Sequence, residues 1–278
     1  MTGQDIFDRA LYVDRLARAR DTSPGFLSNA IAGELEERVA LVARHFDRAL
    51  VIAPSPAVLA GRLTASGKVR TVVARPPQAS ADLGLEPESY DAVFSVLDLH
   101  AVNDVPGALI QLRRALRPDG LFMACLFAGD TLTELRQSWL EAEALLSNGA
   151  SPRVAPMIDV RELGSLLQRA GFALPVADLD RTLVRYADPI ALMREIRALG
   201  MSNSLSARSR LPVSKRLLAA AASIYRERFA DAGGRIRATV EIAWATAWSP
   251  HESQQQPLKP GSAKMRLADA LRVPETKL

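Results

Sequence analysis

Between Tyr90 and Arg136 the apolar and polar positions predict, in order, a strand, a loop, a helix, a tight turn, a second strand and the start of another helix. Asp91 to Leu97 is a short apolar run of strand length, and Val105, Leu109, Leu112 and Leu116 fall at helical spacing behind Asn103 and Asp104 as capping residues. Pro118-Asp119-Gly120 should stop that helix. Leu121 to Phe127 is apolar on both faces, as a central parallel strand covered by helices on two sides would be. The unit is βαβ with a right-handed crossover, which places the chain in the α/β class with a doubly wound, Rossmann-like sheet.

The flanking pattern extends this unit in both directions. Ile6 to Arg20 reads as an amphipathic helix with Ile6, Ala10, Val13 and Ala17 on its apolar side. A second helix carries Ile31, Leu35, Val39, Val42 and Phe46, and strands are expected at Arg48 to Ala53 and Lys68 to Val73. Downstream, Thr131 to Leu146 continues as a helix with Leu132, Leu135, Trp139, Ala142 and Leu146 inward, and Ser147 to Pro156 is a linker. Asp159 with Glu162 opens a helix that Gly171 closes. Phe172 to Tyr186 is expected as a strand beside Leu121 to Phe127. The helices Pro189 to Leu199 and Val213 to Phe229 form a lid insertion at about 187–232, or a pair completing the core. Ile236, Ala238, Val240, Ile242, Trp244, Thr246 and Trp248 share one face of an antiparallel last strand. The organisation is N-terminal helices over 1–46, one domain over 47–250 and a polar tail over 251–278.

Composition narrows the function classes. Aromatic residues make up only 5% and the net charge is +4, with no basic stripe interleaved by stacking rings, so nucleic acid is excluded as a partner. No apolar run approaches the roughly 20 residues of a spanning helix, which leaves at most peripheral membrane contact. The single Cys125 lies inside a buried strand and reads as a packing residue in a reducing compartment. Asp5, Asp8 and Asp14 among the first arginines match neither a secretory signal nor an acid-poor transit peptide, so a cytoplasmic location is expected. The oligomeric state is left open.

Tyr90-Asp91 opening a strand, then Leu99-His100-Ala101-Val102-Asn103-Asp104, then Leu116-Arg117-Pro118-Asp119-Gly120 resemble the second half of a class I S-adenosylmethionine-dependent methyltransferase. The extension Phe127-Ala128-Gly129-Asp130-Thr131-Leu132 and a late Pro250-His251-Glu252-Ser253-Gln254 narrow this further. They are similar to the branch that holds the biotin-pathway malonyl-carrier-protein methyltransferase and, more closely, the mitochondrial complex I assembly factor regarded as a protein arginine hydroxylase. The resemblance implies a seven-stranded sheet with an antiparallel last strand and a helical insertion. It also implies a cofactor site at Ala53, Ser55, Ala57, Ala74, Arg75, Asp82 and Leu97.

Most of those positions have lost the groups that S-adenosylmethionine needs. An acidic residue and alternating glycines should line the first turn, because backbone must pass close to the methionine part of the cofactor. Here Val51 replaces the acid, Ala53, Ser55 and Ala57 replace the glycines, and Pro54 and Pro56 remove two donors. Ala74-Arg75 ends the next strand where a carboxylate should accept from both ribose hydroxyls, and arginine has only donors. No cofactor is therefore expected, S-adenosylmethionine being the cofactor if the site is competent.

The acceptor side keeps more chemistry. Asp98, His100, Asp130, Thr131 and His251 are the expected substrate or partner pocket, although helix capping alone accounts for Asp130 and Thr131. Asp98, His100 and His251 have the residue types of a two-histidine, one-carboxylate iron triad, but no spacing brings His251 to the others, and no metal is expected. The expected function is assembly or scaffolding through a protein partner, a respiratory complex I subunit. An active methyltransferase and a protein arginine hydroxylase are the alternatives.

Overall fold

The computed structural model describes residues 5–19, 25–146 and 149–255. Six strands form one sheet: β1 (Phe46–Ile52), β2 (Val69–Arg75), β3 (Tyr90–Val96), β4 (Leu116–Phe127), β5 (Ala173–Tyr186) and β6 (Ile236–Trp248), in the order β2-β1-β3-β4-β6-β5. The first four are parallel, and β6 runs antiparallel to both β4 and β5. A seventh strand is absent among the described residues. The long connection 76–89 between β2 and β3 carries Pro76, Pro77 and Pro87 and turns through Gly84 at φ +55°, which disfavours a regular ladder there.

β5 does not pair with β4 as expected, because β6 lies between them. Burial explains the exchange. β6 is buried almost throughout and takes the interior place, whereas β5 exposes Asp180, Arg181 and Thr182 and suits an edge. Tyr186 and Ile236 are register partners, so the whole insertion begins and ends at one point of the sheet.

Helices cover both faces. α2 (Phe26–Leu41) and α3 (Pro56–Ala65) pack Leu35, Val39 and Leu63 against Val51, Phe94 and Trp244, while α4 (Val105–Ala115) and α6 (Val160–Arg169) pack Leu109, Leu112 and Leu167 against Leu50, Val93 and Phe122. α2 ends before Val42 and Phe46, the latter opening β1. Asp104 caps α4 by accepting from Gly107 N at 2.8 Å, and Asp159 caps α6 through Arg161 N. Pro118-Asp119-Gly120 forms a bulge inside β4, where Asp119 takes φ +60° and the register with β3 jumps from Tyr90↔Leu116 to Ala92↔Leu121.

The insertion carries α7 (Pro189–Ala198) and α8 (Lys215–Phe229), which join α5 (Thr133–Leu146) in a third core around Trp139, Leu192 and Tyr225. The first helix, α1 (Arg9–Ala19), buries Tyr12 and Leu16, not the expected face: Ile6, Ala10 and Ala17 are exposed. Tyr12, the largest apolar side chain of the helix, determines which side is covered, since burial scales with area. α1 and α7 both line the cavities at the carboxyl ends of β1, β3 and β4.

Candidate functional site at the carboxyl edge of the sheet

In a doubly wound sheet the ligand crevice lies where the strand order reverses, here between the ends of β1 and β3. β1 passes through Ala53-Pro54-Ser55 directly into α3, with Pro56 in the first turn and Ser55 as an N-cap whose side chain makes no capping bond. Ala53 and Ser55 line a cavity of only about 60 Å³ together with Leu97. Ala57 is exposed and lies outside it. Arg75 donates to Leu83 O at 3.4 Å, Ala74 is exposed, and Asp82 accepts from Gly84 N as a turn residue.

A larger cavity of about 510 Å³ opens beside Ile52, Ala79, Leu83, Asp98 and Leu99, and Arg9 crosses its wall. The Arg9 guanidinium donates through Nε to Gln78 O at 2.8 Å and through Nη1 to Ala101 O at 3.5 Å, and forms an ion pair with Asp98 through Nη2. It also lies 5.0 Å from the centre of the Tyr12 ring. The loops after β2 and β3 are thereby tied together by one side chain from α1. Burial lifts the Asp98 carboxyl above its usual range, with the Arg9 charge opposing.

The neighbouring contacts fix α1 in place. Tyr12 donates to Leu97 O at 2.8 Å, and Phe7 exchanges two 2.9 Å hydrogen bonds with the Asn103 side chain. Leu97 itself takes φ +51°, a left-handed conformation that costs a non-glycine residue about 1–2 kcal/mol. Such strain concentrates at functional crevices.

His100 faces a second chamber of about 120 Å³ beside α7, lined largely by Phe127, Leu135, Met157, Leu192 and Val240. Its ring meets Tyr12 and Phe127 edge-on at 6.0 and 5.2 Å, and its enclosed Nδ1 has no hydrogen-bond partner. Burial, reinforced by the Arg9 charge, pushes its pKa down to about 3, so the imidazole is neutral at physiological pH. It can accept or donate one hydrogen bond to an occupant of that chamber.

The other expected residues separate. His251 is exposed, with Nδ1 2.7 Å from Ser253 Oγ, and the adjoining Gln254 donates to Asp119 at the amino end of β4. His100 touches Phe127 at the opposite end of that strand, roughly 26 Å away at the usual strand rise. The iron triad therefore does not assemble, and among the described residues no group of three or more His, Cys, Asp or Glu could hold a metal. Nor do Asp130 and Thr131 cap α5. Buried Thr131 donates from Oγ1 toward Ala128 O and Glu241 O and accepts from Glu241 N, while exposed Asp130 gives its backbone N–H to the Glu241 carboxylate. These bonds lock the end of β4 onto β6.

Sequence patterning missed Arg9 and Tyr12 as site residues. The spacing of Ile6, Ala10, Val13 and Ala17 put neither of them on the side expected to be buried. It missed Glu241 altogether. Cys125 is as expected: buried, with its thiol pushed up to about 12 by desolvation, and inert.

A parallel sheet with an antiparallel penultimate strand, helices on both faces and a crevice at the strand reversal define a methyltransferase-like α/β protein. The family model "Methyltransferase domain" matches residues 21–124. A putative methyltransferase from Bacillus halodurans superposes with a TM-score of 0.52 at 13% identity, over 80% of this chain and 100% of that one, a likeness of fold. Arginine-hydroxylase NDUFAF5, mitochondrial, of Danio rerio is 31% identical over 98% of this chain and 91% of its own length. Its Rattus norvegicus counterpart is 35% identical over 98% and 85%. Malonyl-[acyl-carrier protein] O-methyltransferase of Xylella fastidiosa is 36% identical over 58% and 52%. The chain belongs to the NDUFAF5 arginine-hydroxylase family, within the methyltransferase superfamily.

These names overturn the expected cytoplasmic location, since the relatives matched along their length are named as mitochondrial. The expectation leaned on N-terminal aspartates that have structural work. Asp8 accepts from Leu11 N and pairs with Arg208, and Asp14 pairs with Arg18, so their presence says little about targeting.

Proposed function

We propose that this chain acts by engaging a protein partner at the carboxyl edge of its sheet, as an assembly-type factor, and does not transfer methyl groups. The observation that carries the reading is Arg9, whose guanidinium spans the crevice from the loop after β2 to Asp98. The rebuilt turn at Ala53-Pro54-Ser55 and the donor-only Arg75 agree with it. Methyl transfer depends mainly on holding donor and acceptor in line, so a crevice without the donor's cradle loses most of its rate. We infer a respiratory complex I subunit as the partner. Calorimetry with S-adenosylmethionine and S-adenosylhomocysteine tests the reading: no heat is expected, and micromolar affinity, about −8 kcal/mol, would overturn it.

A second reading is favoured by one observation. The surroundings of Arg9, a buried carboxylate, two backbone carbonyls and an aromatic ring, are those that recognise a guanidinium. This supports arginine hydroxylation, the activity named for the relatives. Mass spectrometry of a partner co-purified with the chain decides between the two. One added oxygen on an arginine, absent with Asp98→Asn, would favour hydroxylation over scaffolding.

A further inference from the structure

We propose that the open basin between α1 and α7 docks an acidic segment of the protein partner. This rests on the reading that the chain works by engaging a partner, and it adds where and by what chemistry.

Four guanidiniums, from Arg15 and Arg18 of α1 and Arg194 and Arg197 of α7, line a basin of about 540 Å³. On each helix the two are three residues apart and share a face, where like charges repel and weaken the helix. Little negative charge offsets them. Asp14 meets Arg18 at 2.7 Å, but both side chains are largely exposed, and such pairs contribute little. Asp188 feels the charge of Arg194 while its carboxylate caps α7 through Ile190 N and Ala191 N. Among the described residues no carboxylate comes within ion-pair reach of Arg194 or Arg197, and both are exposed. Arg15 bonds to Asn203 O, and burial together with the charge of Arg208 disfavours its protonation, with the charges of Asp8 and Asp14 opposing. An arrangement that repels itself without an anion is stabilised by one.

Position and shape choose the anion. Ala19 and Ala198 wall both this basin and the cavity beside Ser55 and Leu97, so a bound segment lies at the mouth of the crevice. Four guanidiniums fixed on two helices match a row of carboxylates better than one phosphate, which would leave some of them unpaired. A planar bilayer would touch the rim of a concave basin and not its floor.

The test is fluorescence anisotropy with a labelled Glu/Asp-rich peptide of about a dozen residues, long enough to cross two helices. The full chain is expected to bind it at low salt, and more weakly as salt screens the charges. R194E/R197E should weaken binding roughly tenfold or more. R161E/R169E, an equal charge change at exposed positions of α6, should leave it within about twofold. Circular dichroism confirms that each variant is folded. Equal loss in both variants, or anionic phosphatidylserine vesicles bound where the peptide is not, would overturn the docking site. Arg194 and Arg197 do not line the cavity beside Ser55 and Leu97, so the calorimetric test with S-adenosylmethionine does not read them, and failure of that reading and failure of this one are separately visible.

Discussion

Arg9→Ala is the most informative single change, because it uncovers the crevice and leaves a charge behind. The Arg9 and Asp98 side chains are only 12% and 5% exposed, which places the pair in the buried regime, not among surface pairs worth about 0–1 kcal/mol. Removing one partner of a buried pair costs about 3–5 kcal/mol, mostly from the ion left uncompensated. At roughly 2–4 °C per kcal/mol for a chain of this size, the midpoint should fall by about 6–20 °C. The loss should depend on pH in a definite direction. Burial already raises the Asp98 carboxyl, and Arg9 opposes that rise, so the variant's folded value climbs further. A carboxyl raised in the folded state stabilises most below its unfolded value, near 3.8, and loses that contribution as pH rises through the folded value. The gap between wild type and variant should therefore be wide at pH 7 and narrow toward pH 4. Urea unfolding followed by circular dichroism at both pH values measures it, and R9A/D98N should recover most of the pH 7 loss. A cost under about 1 kcal/mol, equal at both pH values, would mean that water reaches Asp98 and that α1 does not seal the crevice.

Three further changes probe the surroundings. Because the His100 pKa is depressed to about 3 in the fold, stability should fall as pH drops below the unfolded value of 6.5, by about 1–2 kcal/mol at pH 5. His100→Phe should flatten that slope in urea titrations while keeping the ring contacts with Tyr12 and Phe127. Gly129→Ala should cost about 1–3 kcal/mol by thermal unfolding, since Gly129 has φ +52° and a Cβ there would strike the Glu241 carboxylate that holds Asp130 N. Thr239→Val should cost about 1.5–3 kcal/mol, because buried Glu134 loses the hydroxyl 2.6 Å away, and Thr239→Ser should restore most of it.

The βαβ unit from Tyr90 to Phe127 was legible because its signals are local: a cap at Asp104, a period of 3.6, then an apolar run. Ala53 to Ala57 contains no glycine, and β1 passes through it directly into α3. What could not be read depended on partners distant in sequence. The β5 and β6 places follow from which strand is apolar on both faces once the sheet exists. The buried face of α1 is set by the crevice it covers, so its own spacing pointed to Ile6 and Ala17. Arg9 and Asp98 are 89 positions apart, and neither residue type announces the other. His251 shows the converse: a residue in a family-like stretch that the topology carries to the far edge.

The pairing of Tyr186 with Ile236 makes the helical insertion a graft. Its two roots stand on adjacent strands, so the sheet closes the same ladder whatever is inserted above it, and the entropy of loop closure changes only slowly with insertion length. Residues of α7 and α8 can therefore be rewritten or lengthened without renegotiating the register of β5 and β6. Divergence in sequence and length should collect between those two residues, while the strands on either side stay still.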